Sequence, residues 1–413
     1  ENGYKPIIIE RGEKIEDRIK TVEKFWQTNT LNENSNVQFG EGGAGTFSDG
    51  KLNSGIHSPY CKKVLETFVK FGAPEQILYV NKPHIGTDNL VNVIRNMRNE
   101  IINLGGEFLF NTKVTDFEFK DSKIKSVICN NLKIETDTVI LAIGHSARDT
   151  FEILYKKGVE MQKKNFSVGV RIEHKQSMIN KSQYGEITKL KLPPAEYKMA
   201  YHGENRSCYT FCMCPGGFVV PSSTGPQEIV VNGMSAAGRN SQWSNAAIVV
   251  ETRPEDIPSE CCSPLTPALN GLVWRNYIER NTYTCGIGQQ APAQRLQDFL
   301  AGTISKSLPK TSYTPGVVSR DLHQCLPPQV TGRLAHAFRD FDRDMKGFIC
   351  PEAVLIASET RTSTPVRIVR IKETGECTAL KNLYPAGEGS GYAGGITSSA
   401  LDGINAALAI ADR

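Results

Sequence analysis

Apolar residues fall into two distinct rhythms along the chain. Val64, Leu65, Phe68 and Val69 are spaced for a helix over 60–72. A second helix follows Thr87-Asp88, with Leu90, Val93, Ile94, Met97, Ile101 and Ile102 on one face and Thr87 as its cap. A polar stretch over 14–26 reads as a further helix, and Ile7-Ile8-Ile9 as a buried strand over 6–9 that stops at Glu10. After Gly105-Gly106 the period shortens, and 107–110, 113–119, 124–129 and 132–136 read as strands. The run 138–143 is a fully apolar strand ending at Gly144-His145-Ser146, and 151–158 is a short helix.

From about 160 to 345 proline density rises and strand patterns dominate, at 167–173, 217–221 and 228–233. Within this section 251–268 reads as a surface loop and 292–306 as a helix. The first style returns near 350, with a strand at 383–385 and a final helix from Thr397. The fold expected is α/β: a Rossmann-like nucleotide-binding domain over 1–155 and 346–413, interrupted by a mixed α+β, strand-rich domain over 156–345 that takes the substrate.

Composition excludes several classes. With 39% hydrophobic and 22% charged residues the 413-residue chain is no disordered protein, and it has no apolar run of membrane-spanning length. A formal charge of +4 gives no polyanion footprint, so no nucleic-acid partner is expected. Eleven cysteines, with spacings unlike zinc knuckles, point to free thiols in a reducing cytoplasm and to no metal. Cys212 and Cys214 flank a single residue before Pro215-Gly216-Gly217, which fits a strand and turn or a redox role beside a cofactor. The 36 glycines bunch at 40–55, 215–238 and 387–403, where backbone must turn tightly or approach a ligand.

Four constellations carry candidate chemistry. Glu10, with Arg11 and Gly12 behind it, stands where an acid ending a nucleotide-binding strand accepts hydrogen bonds from ribose hydroxyls. The loop Gly42-Gly43-Ala44-Gly45-Thr46-Phe47-Ser48-Asp49-Gly50-Lys51-Leu52 offers amides for anionic or carbonyl oxygens, and Lys51 a positive charge beside a flavin or phosphate. The strand ending at Gly144-His145 lets backbone lie against a dinucleotide. The richest is Leu383-Tyr384-Pro385-Ala386-Gly387-Glu388, followed by Gly389, Gly391, Gly394 and Gly395 and then a helix from Ile396. There a carboxylate can accept from a ribitol hydroxyl. The first helical amides of Gly394, Gly395 and Ile396 can face the isoalloxazine edge that gains negative charge on reduction. Arg361 and Arg367 precede this motif. Arg361 is the candidate clamp for a substrate carboxylate or reduced flavin, or else an ion-pair partner of Glu359 or another acid. His174, at a strand end, reads as structural or as a proton donor.

Taken with Gly169-Val170-Arg171-Ile172-Glu173-His174, Cys212-Met213-Cys214-Pro215-Gly216-Gly217 and Glu359-Thr360-Arg361-Thr362, these motifs resemble bacterial FAD-dependent dehydrogenases of the two-dinucleotide-binding-domain superfamily. The resemblance implies FAD, with Glu10 on the ribose, the Val114 backbone against adenine, Gly144 near the diphosphate and Glu388 on the ribitol side. It implies a hydride transferred through flavin to or from a small molecule, with Arg361 and Lys51 as catalytic candidates and NAD(P)H or a protein as electron donor. No G-x-G-x-x-G lies in 150–345 to bind a nicotinamide. The strand and G-x-G-x-x-G of a diphosphate loop are also absent before Glu10, so the parent protein is expected to begin upstream. The alternatives are an RNA-modifying flavoprotein and a non-catalytic FAD-binding module.

Overall fold

In the computed structural model, residues 3–130, 132–186, 192–203 and 206–412 are described. The middle of the chain builds a seven-stranded mixed sheet. Its strands run in the order Val317–Ser319, Ala291–Arg295, Val354–Glu359, Phe166–Lys175, Trp243–Thr252, Ser207–Cys214, Ala200–His202. Only the first pair is parallel.

The central strand Phe166–Lys175 shows why the sheet has two different faces. Phe166, Val168, Val170 and Ile172 join one core with Val330, Leu334, Phe338 and Phe341 of helix Pro328–Asp344, and with Trp274 and Ile278 of helix Asn270–Cys285. By the period of two, Ser167, Gly169, Arg171 and Glu173 take the opposite face. There Arg171 donates to Glu359 at 2.9 Å, to Asn245 at 2.7 Å and to the Cys212 carbonyl at 2.9 Å. A polar stripe inside a buried sheet is tolerated because each charge finds partners. Gly169 admits no side chain, since a Cβ there would strike the Ile248 carbonyl of the neighbouring strand.

Three sequence expectations are corrected by this sheet. Strand Val354–Glu359 pairs on both sides within it, so the sheet-bearing unit runs past the expected limit at 345. An apolar run reveals a strand but not which sheet it joins. The stretch expected as a helix over 292–306 is strand Ala291–Arg295 followed by helix Leu296–Ala301. The expected surface loop 251–268 holds three short 3-10 turns and buries Thr252, Cys261 and Ala268.

The flanking segments form two short parallel pairs, Ile7–Ile9 with Glu107–Leu109, and Leu383–Pro385 with Val139–Leu141. The Rossmann-like domain expected over these segments implies a parallel sheet, and among the described residues the two pairs are separate two-stranded sheets. Strand Val139–Leu141 is not fully buried either, because Ile140 is 43% exposed. Strands Val114–Lys120, Lys123–Cys129 and Leu132–Glu135 form an antiparallel meander, with Val114 opposite Cys129. Helices Ile15–Thr28, Tyr60–Lys70, Thr87–Asn103 and Ile396–Ala411 surround the pairs. Gly86, not Thr87, caps the third of these; the Thr87 hydroxyl instead donates to the Thr46 carbonyl at 2.6 Å. Glu10, Gly144 and Glu388 all follow the carboxyl ends of the parallel strands.

Phe338 is fully buried between Phe299 and Phe348. Phe338→Ala should lower unfolding stability by about 3–5 kcal/mol, measured by urea denaturation, because the rigid sheet cannot collapse onto the cavity.

Candidate functional site

The glycine-rich loop is shaped by a buried guanidinium. Arg18 donates to the carbonyls of Asn36, Val37, Gly40 and Glu41 and holds the chain over 36–41 against helix Ile15–Thr28. One oxygen of Glu10 accepts from the amides of Gly12 at 2.8 Å and Gly40 at 3.0 Å, which fixes the entry to the loop and leaves the other oxygen without a hydrogen bond among the described residues. Arg11 lies over the Phe39 ring and pairs with Asp149 at 2.8 Å. Further on, Ala44 to Phe47 make a 3-10 turn, and the buried Thr46 hydroxyl has no partner among the described residues. A Cβ at Gly45 would stand 3.1 Å from Ile396, and Thr397 donates to the Leu52 carbonyl at 2.7 Å. The loop therefore seats directly on the start of the last helix.

The segment 387–396 meets the turn at Gly144. A Cβ on Gly389 would lie 2.5 Å from the Gly144 carbonyl oxygen, so the two backbones pack with no room for a side chain. Asp402 anchors the segment from behind, accepting the Gly387 amide at 2.8 Å and pairing with Arg370 at 2.7 Å. Glu388 is half-buried, and its carboxyl makes no hydrogen bond among the described residues. Burial pushes it up to about 7, against the pull of Lys164 and Arg275. The Gly394 amide, expected to be free, donates to Ser398 Oγ at 3.2 Å. The amides of Gly395 and Ile396 have no partner among the described residues.

A buried charge network stands behind Gly144. Arg275 donates to the His145 carbonyl at 2.9 Å. Arg361 makes two bonds to Glu279, at 3.0 and 2.9 Å, and reaches Glu228 at 3.3 Å and Ser146 Oγ at 3.2 Å. Arg148 pairs with Glu228 as well. Burial raises the Glu279 carboxyl, but Arg361, Arg275 and Arg148 outweigh it and hold the group at about 2. Burial, reinforced by Arg275 and Arg361, holds His145 at about 3, so its imidazole is neutral and bonds Ser146 Oγ at 2.9 Å.

This network corrects the expectation for Arg361. Its side chain is 2% exposed and consumed by Glu279 and Glu228, so it clamps the protein and is not presented to a substrate. Of the ion-pair partners expected, Glu359 or another acid, it takes the latter, since Glu359 pairs with Arg171. His174 is structural: its ring bonds the Phe348 carbonyl at 2.9 Å, and burial lowers it to about 4. Val114 is half-buried in the meander and packs against the core that holds Leu141 and Phe151. Lys51 pairs with Asp49 at 2.7 Å and donates to the Met213 carbonyl, which places it beside Cys212 and Cys214. Sequence reading missed Arg18, Glu279, Glu228 and Asp402. The Arg275–Glu279 spacing was visible as an i,i+4 pair, but nothing in the local sequence marked it as buried.

The arrangement fits FAD. A half-buried carboxylate lacking a donor is costly unless a ligand hydroxyl supplies one. A Cβ at Gly43, Gly144 or Gly394 would meet nothing within 4 Å, so these backbones border open space, as does the unpaired helix start. Among the described residues no helix is long and apolar enough to cross a membrane.

Residues 165–362 match the family model described as FAD-dependent protein, C-terminal domain-like. The chain is 45% identical to a Clostridium beijerinckii protein over 417 aligned residues, 100% of this chain and 77% of that relative. It belongs to the family of this relative, and the FAD-dependent domain matched over 165–362 gives FAD as its cofactor. A D-amino acid dehydrogenase of Helicobacter pylori is 46% identical over 52 residues, 13% of each chain. An oxidoreductase structure from Methanosarcina mazei aligns at TM-score 0.33 and 10% identity, over 88% of this chain and 64% of that one.

Glu388 and Glu173 are both raised to about 7 from an ordinary 4.5. The folded chain thus binds more protons than the unfolded one between these values, and stability should fall as pH rises through that window. Urea denaturation at pH 5 and pH 8 should show this loss, and Glu388→Gln should remove part of it.

Proposed function

We propose that the chain is an FAD-dependent oxidoreductase acting on a small molecule, with a Rossmann-like nucleotide-binding unit built around the two parallel strand pairs. The observation that carries this is the Gly144–Gly389 contact, with the unpaired Glu388 carboxylate and the unpaired amides of Gly395 and Ile396 beside it. When bound, FAD supplies two-electron transfer. The protein's part is to bind and orient. Glu388 would hold the ribitol hydroxyls, Glu10 the ribose, and the backbone at Gly43 and Gly144 would let the cofactor approach closely. The amides of Gly395 and Ile396, at the positive end of the last helix, would stabilise negative charge at the edge they face.

A cavity of about 580 Å³ opens beside this edge, lined by Leu52, Ser54, His57, Cys61 and Thr397. Its border on Leu52 and Thr397, the pair that joins the glycine loop to the last helix, supports it as the way in for a substrate. The short match to D-amino acid dehydrogenases is consistent with a dehydrogenase reading. An electron donor such as NAD(P)H or a partner protein would reach the same edge.

Glu388→Ala should weaken FAD binding roughly 10- to 150-fold, since a hydrogen bond to a charged group contributes about 1.5–3 kcal/mol. Titration of FAD fluorescence against wild-type and variant protein measures this, and equal affinities would reject the ribitol assignment. Gly395→Val should lower the flavin reduction potential or expel the flavin while far-UV dichroism stays unchanged. Anaerobic reduction of bound flavin by NADH or NADPH tests the oxidoreductase reading itself.

A further inference from the structure

We propose that Cys212 and Cys214 are a redox-active dithiol, with half-exposed Cys212 as the attacking thiolate and buried Cys214 as the thiol that resolves it. The proposal rests on geometry independent of the flavin reading. Strand Ser207–Cys214 breaks register between Phe211 and Cys214, and Cys212 there adopts a left-handed φ of +45°. Such a conformation is costly outside glycine and is retained where the surroundings impose it. At this bulge the Cys214 thiol donates to the Cys212 carbonyl oxygen at 3.4 Å, and the two thiols lie close enough to interact with each other. Cys212 is partly accessible while Cys214 is buried, which separates their roles.

The charges around the pair do not cancel. Arg171 donates to the Cys212 carbonyl at 2.9 Å and lies 4.0 Å from Cys214 Sγ, and Lys51 donates to the Met213 carbonyl between them. Two carboxylates face the same place, Glu359 on Arg171 and Asp49 on Lys51, but Asp49 is also bound by Arg239. Three cations therefore meet two carboxylates, and an anion at Cys212 would balance them. Tyr197, a further neighbour, is raised beyond its ordinary range by burial and stays neutral, and His84, beside Asp49, Lys51 and Arg239, is lowered by burial and by Arg239. The same environment acts on the thiols: the hydrogen bond from Cys214 pulls Cys212 down to about 5, with Lys51 and Arg171 adding to the pull against burial, while Cys214 is raised.

The chemistry balances as a disulfide exchange. The Cys212 thiolate attacks one sulfur of a small disulfide, the S–S bond breaks, and one thiolate leaves and takes a proton. Cys214 then gives up its proton, attacks Cys212 Sγ and expels the second thiolate. The protein dithiol is oxidised by two electrons to a disulfide, and the small disulfide is reduced to two thiols.

The test uses the full chain with iodoacetamide, followed by peptide mapping. Cys212 should alkylate at a rate nearly flat from pH 6 to 9, while glutathione added as a reference thiol should rise roughly tenfold per pH unit up to its pKa. Lys51→Met should move the Cys212 midpoint up by about one pH unit or more. After 2,2′-dithiodipyridine, the peptide carrying both cysteines should be lighter by two hydrogens, and Cys214→Ser should instead trap a mixed disulfide on Cys212. A Cys212 pH profile like that of the reference glutathione, or a mixed disulfide persisting in the wild-type chain, would overturn the proposal.

Discussion

The contact between Gly144 and Gly389 constrains the whole site. Two turns from distant parts of the chain, one after Val139–Leu141 and one after Leu383–Pro385, meet backbone to backbone. The parallel pairing of those strands brings the turns side by side, and the absence of a side chain at 389 lets them close. Behind them Arg275 holds the His145 carbonyl and Arg361 holds Ser146, so the middle unit grips the same turn. A buried arrangement of three arginines and two glutamates is not obviously stabilising against an apolar core. Its parts are interdependent, however, because removing one glutamate leaves buried guanidinium groups uncompensated.

That network also joins the two units. Glu228 and Glu279 belong to the middle section, and Arg361 follows the strand Val354–Glu359 of its sheet, while Arg148 begins the helix after Gly144. On the other side, Ser146 donates to Gln38 at 3.2 Å, and Gln38 donates to Ser222. The glycine loop, the Gly144 turn and the middle unit thus share one hydrogen-bonded seam. Lys51 makes a second link between the loop and the middle unit, reaching the strand that carries Cys212 and Cys214.

Local pattern made much of this legible. The strand Leu383–Pro385 and the helix that begins at Ile396 stand where alternation and glycine spacing predicted, because those signals act over a few residues. Glu388 could be singled out because an acid between glycines has few structural uses. Membership of Val354–Glu359 in the large sheet, the burial of Glu279 and the engagement of Arg361 depend on long-range packing, which no window of sequence contains. Arg361 shows the difference well: its chemistry suggested a clamp for an anion, and the anions turned out to be the protein's own. Arg18 was invisible for the same reason, since its four carbonyl partners lie 18 to 23 residues away.

The central claim is that the glycine loop, the Gly144 turn and the start of the last helix form one FAD-facing edge. Amide hydrogen exchange of the chain with and without added FAD tests it most directly. Protection should appear together over 40–52, 144–148 and 387–397, with little change in helix Pro328–Asp344 on the far face of the large sheet. Protection confined to a cavity lined by Met199, Tyr209 and Glu251, with none at Gly144 or Gly395, would contradict the account.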